Sequence, residues 1–180
     1  MKLQAQVIEE LGQQKNETNL VKLTQRLTQD SQRLENELDK ILQLSRIERG
    51  GNLDCHSVKL FPFIRSVADK MSSITNADLH YVIKGDNDLE VAADEFALTI
   101  IIRNLLENTL HHCQADKKTA TFEIFKDGKV MLRYFDNGKE FTGKTKKLAQ
   151  LFYKYKSTKG SGIGLYLVKR LTKKMGGSFE

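Results

Sequence analysis

Two asparagines and a histidine share one face of a helix that the sequence predicts between Asp94 and about His112. Asn104, Asn108 and His111 stand at positions i, i+4 and i+7, a spacing that places side chains on one stripe of a helix. Amide oxygens can complete the shell of a magnesium ion that phosphates already hold, and amide N–H groups can donate to phosphate oxygens. Because asparagine is a poor residue for a helix interior, the stripe indicates ligand binding. Two exposed polar residues are the plain alternative.

A carboxylate follows directly after a predicted strand further along the chain. Asp136-Asn137-Gly138 comes after Tyr134 and Phe135. A carboxylate at a strand end can accept a hydrogen bond from an exocyclic amine such as that of adenine, and a glycine lets the backbone approach the ring. An ordinary turn has the same three-residue sequence, so the motif alone leaves both interpretations open.

A glycine-rich segment, Lys-Gly-Ser-Gly-Ile-Gly-Leu at 159–165, runs into a helix predicted over about 164–175. Alternating glycines allow backbone N–H groups to converge on phosphates at a helix N-terminus, where the helix dipole also favours anions. The spacing matches neither the dinucleotide-binding fingerprint nor the Walker pattern. The glycine-rich segment alone therefore identifies no particular kind of phosphate site.

In this order and spacing, the three elements resemble the catalytic and ATP-binding domain of bacterial sensor histidine kinases. Asn104-Leu105-Leu106-Glu107-Asn108 matches the N box of that family, and Asp136-Asn137-Gly138 matches its G1 box. The segments 151–155 and 160–165 are similar to the F box and the G2 box, and 44–50 is similar to the exit of the family's dimerisation hairpin. The resemblance covers the chain from about Thr18 to its end.

The resemblance implies ATP and Mg²⁺ as cofactors and assigns a role to each matching position. Asn108 would coordinate magnesium with Asn104 beside it, His111 would lie near the phosphates, and His112 would lie against the nucleotide. Asp136 would accept from the adenine amino group, and Gly138 would admit the ring. The lid over the phosphates would include Lys156, Lys159, Gly160, Gly162, Gly164 and Leu165.

The activity that the resemblance implies is transfer of the γ-phosphoryl group to a histidine and then to an aspartate of a response regulator receiver domain. None of the four histidines, His56, His80, His111 and His112, stands in the phosphoacceptor pattern of the family. The sequence therefore predicts no catalytic residue in this chain and no autophosphorylation by it alone. Glu140 replaces the second glycine of the G1 box, so a degenerate kinase that acts as a dimerisation scaffold is the alternative.

The elements that must position these residues form two predicted domains. Residues 1–50 read as a helical hairpin with a turn at 12–16, and 51–180 read as the ATP-binding domain, without its closing strands. The second hairpin helix carries a heptad stripe, which predicts a homodimeric bundle; packing on the chain's own second domain is the alternative. The stripe consists of Leu20, Thr24, Leu27, Ser31, Leu34, Leu38, Ile41 and Ser45.

Strands and helices in the second domain alternate without regular βαβ units, which predicts an α+β fold: a two-layer α/β sandwich with a mixed sheet. We expect strands over 53–60, 79–83, 89–92, 120–125 and 130–135, and helices over 63–71, 94–112 and 164–175. Asp94 is the expected N-cap of the middle helix, and Leu98, Ile101, Ile102, Leu105 and Leu106 are expected to face the sheet.

Composition and charge exclude several other classes of function. The chain has 180 residues and a net charge of +6, and 139–174 hold eleven basic residues and a single acid. That charge suits a polyphosphate ligand or nucleic acid, but the sequence shows no recognition helix and no zinc ligands, so we expect no nucleic-acid partner. Two cysteines are too few for a disulfide framework, which indicates the cytoplasm.

No apolar run reaches the length of a membrane span. The resemblance implies the cytoplasmic portion of an inner-membrane sensor, attached to the membrane only through segments outside this chain. A related ATPase that activates water would need a glutamate at the first N-box position, where Asn104 stands. This difference favours phosphoryl transfer over hydrolysis.

Overall fold

The structure, a computed structural model, describes residues 17–49, 52–75, 79–143, 147–154 and 162–180. The predicted first hairpin helix, the glycine pair at 50–51 and three predicted lid residues, Lys156, Lys159 and Gly160, lie outside the described residues. The chain divides into two compact units, Met1–Lys40 and Ile41–Glu180. Within the described residues, no helix is long and apolar enough to cross a membrane.

Four helices and five strands make up the described part of the chain. In chain order they are α1 (Glu17–Glu48), β1 (His56–Lys59), α2 (Leu60–Thr75), β2 (Leu79–Gly85), β3 (Glu90–Ala93), α3 (Glu95–His112), β4 (Lys118–Asp127), β5 (Lys129–Asp136) and α4 (Gly164–Lys174). The α+β fold is thereby confirmed, with each predicted strand and helix of the second domain present at shifted bounds.

The long helix α1 carries its predicted apolar stripe on an exposed surface. Leu20, Leu34, Leu38 and Ile41 are each between 44% and 65% exposed. Isolated helices derive little stability from propensity alone, and an amphipathic helix is normally stabilised by packing its apolar stripe. The stripe is therefore available to a partner, and the homodimeric bundle stays a prediction.

The strands pair as two sheets. β2, β4 and β5 form a mixed sheet in which β2 runs parallel and β5 antiparallel to the central β4, and β1 pairs with β3 in a separate antiparallel ladder. The register places Phe122 opposite Tyr134 and Ala120 opposite Asp136. The end of β5 therefore lies beside the start of β4.

Two element boundaries differ from the sequence prediction for clear physical reasons. Pro62 lies inside α2, at its third residue, because proline is tolerated in a first turn, where its missing N–H has no helical acceptor. β4 and β5 extend to a tight turn at Gly128, whose φ is +65°. Cross-strand pairing therefore extends both strands into the segment 126–129, which the sequence predicts as a turn.

The core places α3 at the centre of the second unit. Leu98, Ile101, Ile102, Leu105 and Leu106 are all buried, as predicted. They share one cluster with fully buried side chains from the other elements, among them Ile64 of α2, Phe122 and Ile124 of β4 and Leu171 of α4. Burying each such side chain contributes about 1.5–3 kcal/mol, which fixes α3 against both the sheet and α4.

Candidate functional site

The start of α3 is fixed by its N-cap. One carboxylate oxygen of Asp94 accepts from the backbone N–H of Ala97 at 2.8 Å, and the other accepts from the N–H of Asp54 at 2.9 Å. The capping prediction is confirmed. An N-cap of this kind stabilises a helix by about 1 kcal/mol, and here it also ties α3 to the segment before β1.

Asn104 is buried, with only 5% of its surface exposed. Its Nδ2 donates to the carbonyl of Ile100 at 2.8 Å, whereas its Oδ1 has no hydrogen-bond partner among the residues that the structure describes. A Cβ at Gly164 would lie 2.8 Å from that oxygen. Because Asn104 is buried, the alternative that it is an ordinary exposed polar residue is wrong. A buried acceptor without a donor lowers the stability of the folded protein.

The rest of the predicted α3 stripe is less buried. Asn108 is half-buried one turn after Asn104, and His111 and His112 are exposed in the last turn. The rings of the two histidines lie edge to face with centroids 6.4 Å apart. The stripe therefore runs from a buried end at Asn104 to an open end at the histidines.

Asp136 is the last residue of β5 and is half-buried. Its Oδ1 accepts from the N–H of Gly138 at 2.8 Å, which closes a tight turn, and its Oδ2 lies 3.5 Å from the hydroxyl of Thr109 on α3. A Cβ at Gly138 would lie 2.7 Å from Asp136 Oδ1 and 3.3 Å from the Cα of Cys113. The turn thus requires glycine for its own packing.

Asn137 holds this turn against the start of β4. Its backbone N–H donates to the carbonyl of Thr119, and its Oδ1 accepts from the N–H of Thr119 at 2.8 Å. Its Nδ2 donates to the carbonyl of Lys117 at 2.8 Å, and Oδ1 also accepts from Cys113 Sγ at 3.3 Å. Sequence reasoning missed this role, although an Asx residue inside a turn motif often bonds nearby backbone.

Thr109 and Tyr134 stand behind the carboxylate of Asp136. Thr109 is fully buried and its hydroxyl is hydrogen-bonded to the Tyr134 hydroxyl, which donates to the carbonyl of Leu105 at 2.6 Å. Burial raises the pKa of Tyr134 well above its usual value, so the hydroxyl keeps its proton. Sequence reasoning missed both residues; the signal was a hydroxyl placed immediately after Asn108 and another two residues before Asp136.

The described part of the glycine-rich segment contacts the predicted F box. Gly162 has a φ of +74°, and a Cβ there would lie 2.7 Å from the carbonyl carbon of Phe152. The N–H of Phe152 donates to the carbonyl of Gly162 at 3.1 Å. Gly162 therefore needs glycine for both its conformation and this close approach, whereas Gly164 needs it for the space beside Asn104.

The first turn of α4 favours an anion. It contains no acidic side chain, Ile163 at the N-cap offers no side-chain hydrogen bond, and Leu165 is partly buried against the core. The N–H groups of a first turn have no acceptor within the helix and carry the positive end of its dipole. Asn104 Oδ1 lies beside this turn, so an amide oxygen and the free backbone N–H groups of the turn are close to each other.

Among the described residues, no group of three or more His, Cys, Asp or Glu side chains forms a metal cage. A hard divalent cation at this site would take its oxygen ligands from amides and from a phosphorylated ligand. Of the predicted residues, Asp136 and Gly138 lie together where β5 ends. Asn104 lies beside Gly164, which is followed by Leu165, at the start of α4. Asn108 lies on α3 between Asn104 and Thr109 in the chain.

Comparison with known proteins shows which families the chain is similar to. Residues 93–180 match the family model described as histidine kinase-, DNA gyrase B- and HSP90-like ATPase. A curated relative, the sensor histidine kinase YcbM of Bacillus subtilis (strain 168), is 32% identical over 98 residues, or 51% of this chain. By these two matches the chain is similar to the ATPase domain of bacterial sensor histidine kinases. The match spans 32% of the length of YcbM, so this chain corresponds to about a third of that relative.

Solved structures of three other proteins share the fold of this chain. The Acinetobacter baumannii histidine kinase AdeS aligns with a TM-score of 0.71 and 15% identity over 96% of this chain and 82% of its own. ShkA, solved in complex with AMPPNP, aligns with a TM-score of 0.64 and 21% identity over 86% and 34%. The catalytic domain of ThkA gives a TM-score of 0.57 and 18% identity over 68% and 82%. At these identities the likeness extends to the fold.

Proposed function

We propose that this chain is the ATP-binding, cytoplasmic kinase portion of a two-component sensor histidine kinase. The observation that carries the proposal is the buried, unpartnered Oδ1 of Asn104 beside the uncapped first turn of α4. A fold leaves such an acceptor without a donor at a cost of about 1–3 kcal/mol, and a bound ligand repays that cost. ShkA was solved with AMPPNP, which supports a nucleotide as the ligand here.

The purine base binds at what we call the base end, formed by Thr109, Tyr134, Asp136, Asn137 and Gly138. Asp136 Oδ1 is occupied by the N–H of Gly138, while Oδ2 points to Thr109 at 3.5 Å. Oδ2 can therefore accept a hydrogen bond from an exocyclic amine. Adenine carries that donor, so the base end selects ATP over nucleotides that lack it.

The phosphates bind at what we call the phosphate end, formed by Asn104, Gly162, Ile163, Gly164 and Leu165. The first-turn N–H groups of α4 donate to phosphate oxygens there, and we propose Lys156, Lys159 and Gly160 as further contacts of the lid. His111 and His112, in the last turn of α3, contact the phosphates and the nucleotide from the open end of the stripe.

Magnesium fits the amide oxygens of α3. Asn104 Oδ1 is a hard oxygen ligand without a partner, and Asn108 follows it one turn later on the same face. These two residues would hold Mg²⁺ together with the phosphates, and the ion would supply neutralisation of the charge on the transferred group.

The chain's own residues act by positioning. The base end and the phosphate end hold ATP so that its γ-phosphorus faces an incoming imidazole nitrogen in line with the leaving oxygen. The bond from that phosphorus to the β-phosphate oxygen breaks, a phosphorus–nitrogen bond forms, and ADP leaves. The acceptor histidine is not one of the four in this chain, and an aspartate carboxylate of a response regulator receiver domain takes the phosphoryl group next.

The exposed stripe of α1 supports a homodimer as the working assembly. Leu34 and Leu38 are 65% and 58% exposed, and two such stripes can bury each other in an antiparallel bundle. We propose no nucleic-acid partner, and a connection to the inner membrane only through segments outside this chain.

Calorimetric titration with AMPPNP, with and without Mg²⁺, tests this function. The wild type should bind with micromolar affinity that falls without Mg²⁺. Asp136→Asn should weaken binding by roughly 10- to 100-fold, because it removes a hydrogen bond to a charged group. Asn108→Ala should remove the response to Mg²⁺. Asp127→Asn, an exposed aspartate at the far end of the same hairpin, is the matched control and should bind like the wild type.

A folded wild type that binds no AMPPNP at millimolar concentration would contradict the proposal. The degenerate dimerisation scaffold would then be the better account. The exposed Glu140, two residues after Gly138, would be the first residue to test as the cause of the lost binding.

A further inference from the structure

Four oxygen-bearing groups form a chain of contacts behind the base end. The carbonyl of Leu105 lies 2.6 Å from the Tyr134 hydroxyl, this hydroxyl contacts the hydroxyl of Thr109, and Thr109 Oγ1 lies 3.5 Å from Asp136 Oδ2. The three contacts join α3 to the last residues of β5. Thr109 is fully buried, so its hydroxyl is shielded from water.

Two hydrogens must serve these three contacts. A carbonyl and a carboxylate only accept, whereas each hydroxyl has one hydrogen to give. The tyrosine hydrogen goes to Leu105, because only Tyr134 can donate in that 2.6 Å contact. The threonine hydrogen is then needed both by Tyr134 and by Asp136, and 3.5 Å is at the outer limit of a hydrogen bond. Thr109 therefore donates to Tyr134.

We propose that Tyr134 is a specificity-determining positioning residue of the nucleotide site. By accepting the hydrogen of Thr109, Tyr134 keeps that hydrogen away from Asp136 and leaves Asp136 Oδ2 as an acceptor for the exocyclic amine of a purine. The inference rests on the proposed function, because it concerns how the same site recognises its base. It assigns a role to two residues that the sequence motifs do not include.

Removing the Tyr134 hydroxyl shows why it affects base recognition, because it changes the acceptor to which Thr109 donates. In Tyr134→Phe, Thr109 has a choice between the neutral carbonyl of Leu105 and the carboxylate of Asp136. Hydrogen bonds to a charged acceptor are roughly twice as strong as those between neutral groups, so Thr109 turns to Asp136. The amine of the base then competes with a fixed internal donor for the same oxygen.

The experiment compares ATP with purine riboside triphosphate, which differs from ATP only in lacking the amino group. Calorimetry gives the ratio of the two dissociation constants for the wild type, Tyr134→Phe, Thr109→Val and the double variant. Tyr81→Phe is the matched control: Tyr81 also lies on a strand and donates to a carboxylate, that of Asp69, but its strand and α2 carry none of the site residues. Thermal unfolding confirms that each variant is folded.

We expect the wild type and Tyr81→Phe to prefer ATP by roughly 10- to 100-fold, the value of a hydrogen bond to a charged group. Tyr134→Phe should shrink this ratio by roughly fivefold. The double variant should restore the ratio to within about twofold of the wild type, because the competing hydrogen is gone. Thr109→Val alone should also keep the ratio, because Tyr134 stays bonded to Leu105.

Three results would overturn the proposal. The first is an unchanged ratio in Tyr134→Phe. The second is a double variant no better than that single variant, which would make Tyr134 merely structural. The third is a raised ratio in Thr109→Val, which would mean that Thr109 already donates to Asp136 and competes with the amine in the wild type, and this arm decides the matter even if Tyr134→Phe does not fold. A wild type that binds neither nucleotide would instead refute the proposed function, and this inference with it.

Discussion

The base end and the phosphate end of the site, both built on α3, differ in how their buried polar groups are paired. At the base end, Asn137 makes three hydrogen bonds through its side chain, and Tyr134 and Thr109 bond each other. At the phosphate end, Asn104 Oδ1 is buried without a partner and the first turn of α4 has no side-chain cap. Apart from Asp136 Oδ2, the polar groups of the base end are thus paired within the protein, whereas we propose that a ligand completes the phosphate end.

This difference has a thermodynamic meaning. Preorganised groups bind a ligand without losing further conformational freedom, whereas an unpaired buried acceptor lowers the stability of the free protein. A nucleotide with Mg²⁺ that pairs the acceptor therefore stabilises the folded state beyond its contacts at the base end. Three predictions, given from the largest expected effect to the smallest, test this difference between the two ends.

Gly164→Ala should have the largest effect. A Cβ at position 164 would lie 2.8 Å from Asn104 Oδ1, so we expect a loss of about 1–3 kcal/mol in stability from overpacking and weaker AMPPNP binding. Adding Asn104→Ala should recover most of the stability, because it removes the clashing oxygen. Urea unfolding of the single and double variants measures both changes.

The control for this prediction is Gly177→Ala, which lies outside the proposed site. A Cβ at position 177 would lie 3.0 Å from Thr172 Cγ2. It should change stability but leave AMPPNP affinity unaltered. If Gly164→Ala behaves in the same way as Gly177→Ala, the phosphate end does not include the start of α4.

Asn104→Leu and Thr109→Val should change stability in opposite directions, although both replace a buried polar side chain by an apolar one. Asn104→Leu removes an unpaired acceptor and should stabilise the free protein by about 1 kcal/mol, while Mg²⁺-dependent affinity is lost. Thr109→Val removes a paired hydroxyl and should destabilise it by about 1 kcal/mol. Thermal unfolding should show shifts of roughly 2–4 °C in each direction.

Equal destabilisation by the two substitutions would erase the distinction between the two ends. Arg103→Leu, an exposed change on the same helix, serves as a control and should stay within about 0.5 kcal/mol of the wild type.

The smallest expected effect lies outside both ends of the site. A hydrogen bond that His56 Nε2 donates to the Glu95 carboxylate at 3.4 Å, with a second contact from Nδ1 to the carbonyl of Asp54, raises the pKa of His56 above its usual 6.5. The resulting stabilisation is fully present below pH 6.5 and is lost as the pH rises through the raised value. NMR titration should show this pKa fall back in Glu95→Gln and stay constant when AMPPNP binds; a nucleotide-dependent shift would contradict the assigned site.

The sequence predicted the parts of this site that depend on local pattern. The apolar periodicity of 94–112 and the cap at Asp94 predicted α3, and the spacing of Asn104 and Asn108 placed them on one stripe. The burial of Asn104 was not predictable, because it depends on α4, which is 60 residues further along the chain at Gly164. The contact between Thr109 and Tyr134 was not predictable for the same reason. Only the register of β4 with β5 and the packing of β4 on α3 bring the two hydroxyls together.

Hydrogen–deuterium exchange with and without AMPPNP and Mg²⁺ tests the contrast between the two ends most directly. In the free protein, the N–H groups of Thr119, Asn137 and Gly138 should already exchange slowly, because each donates a hydrogen bond. The N–H groups of 164–166, in the first turn of α4, should exchange fast and slow by at least roughly tenfold when the nucleotide binds. Slow exchange at 164–166 before ligand is added, or larger protection at 137–138 than at 164–166 on binding, would contradict the account.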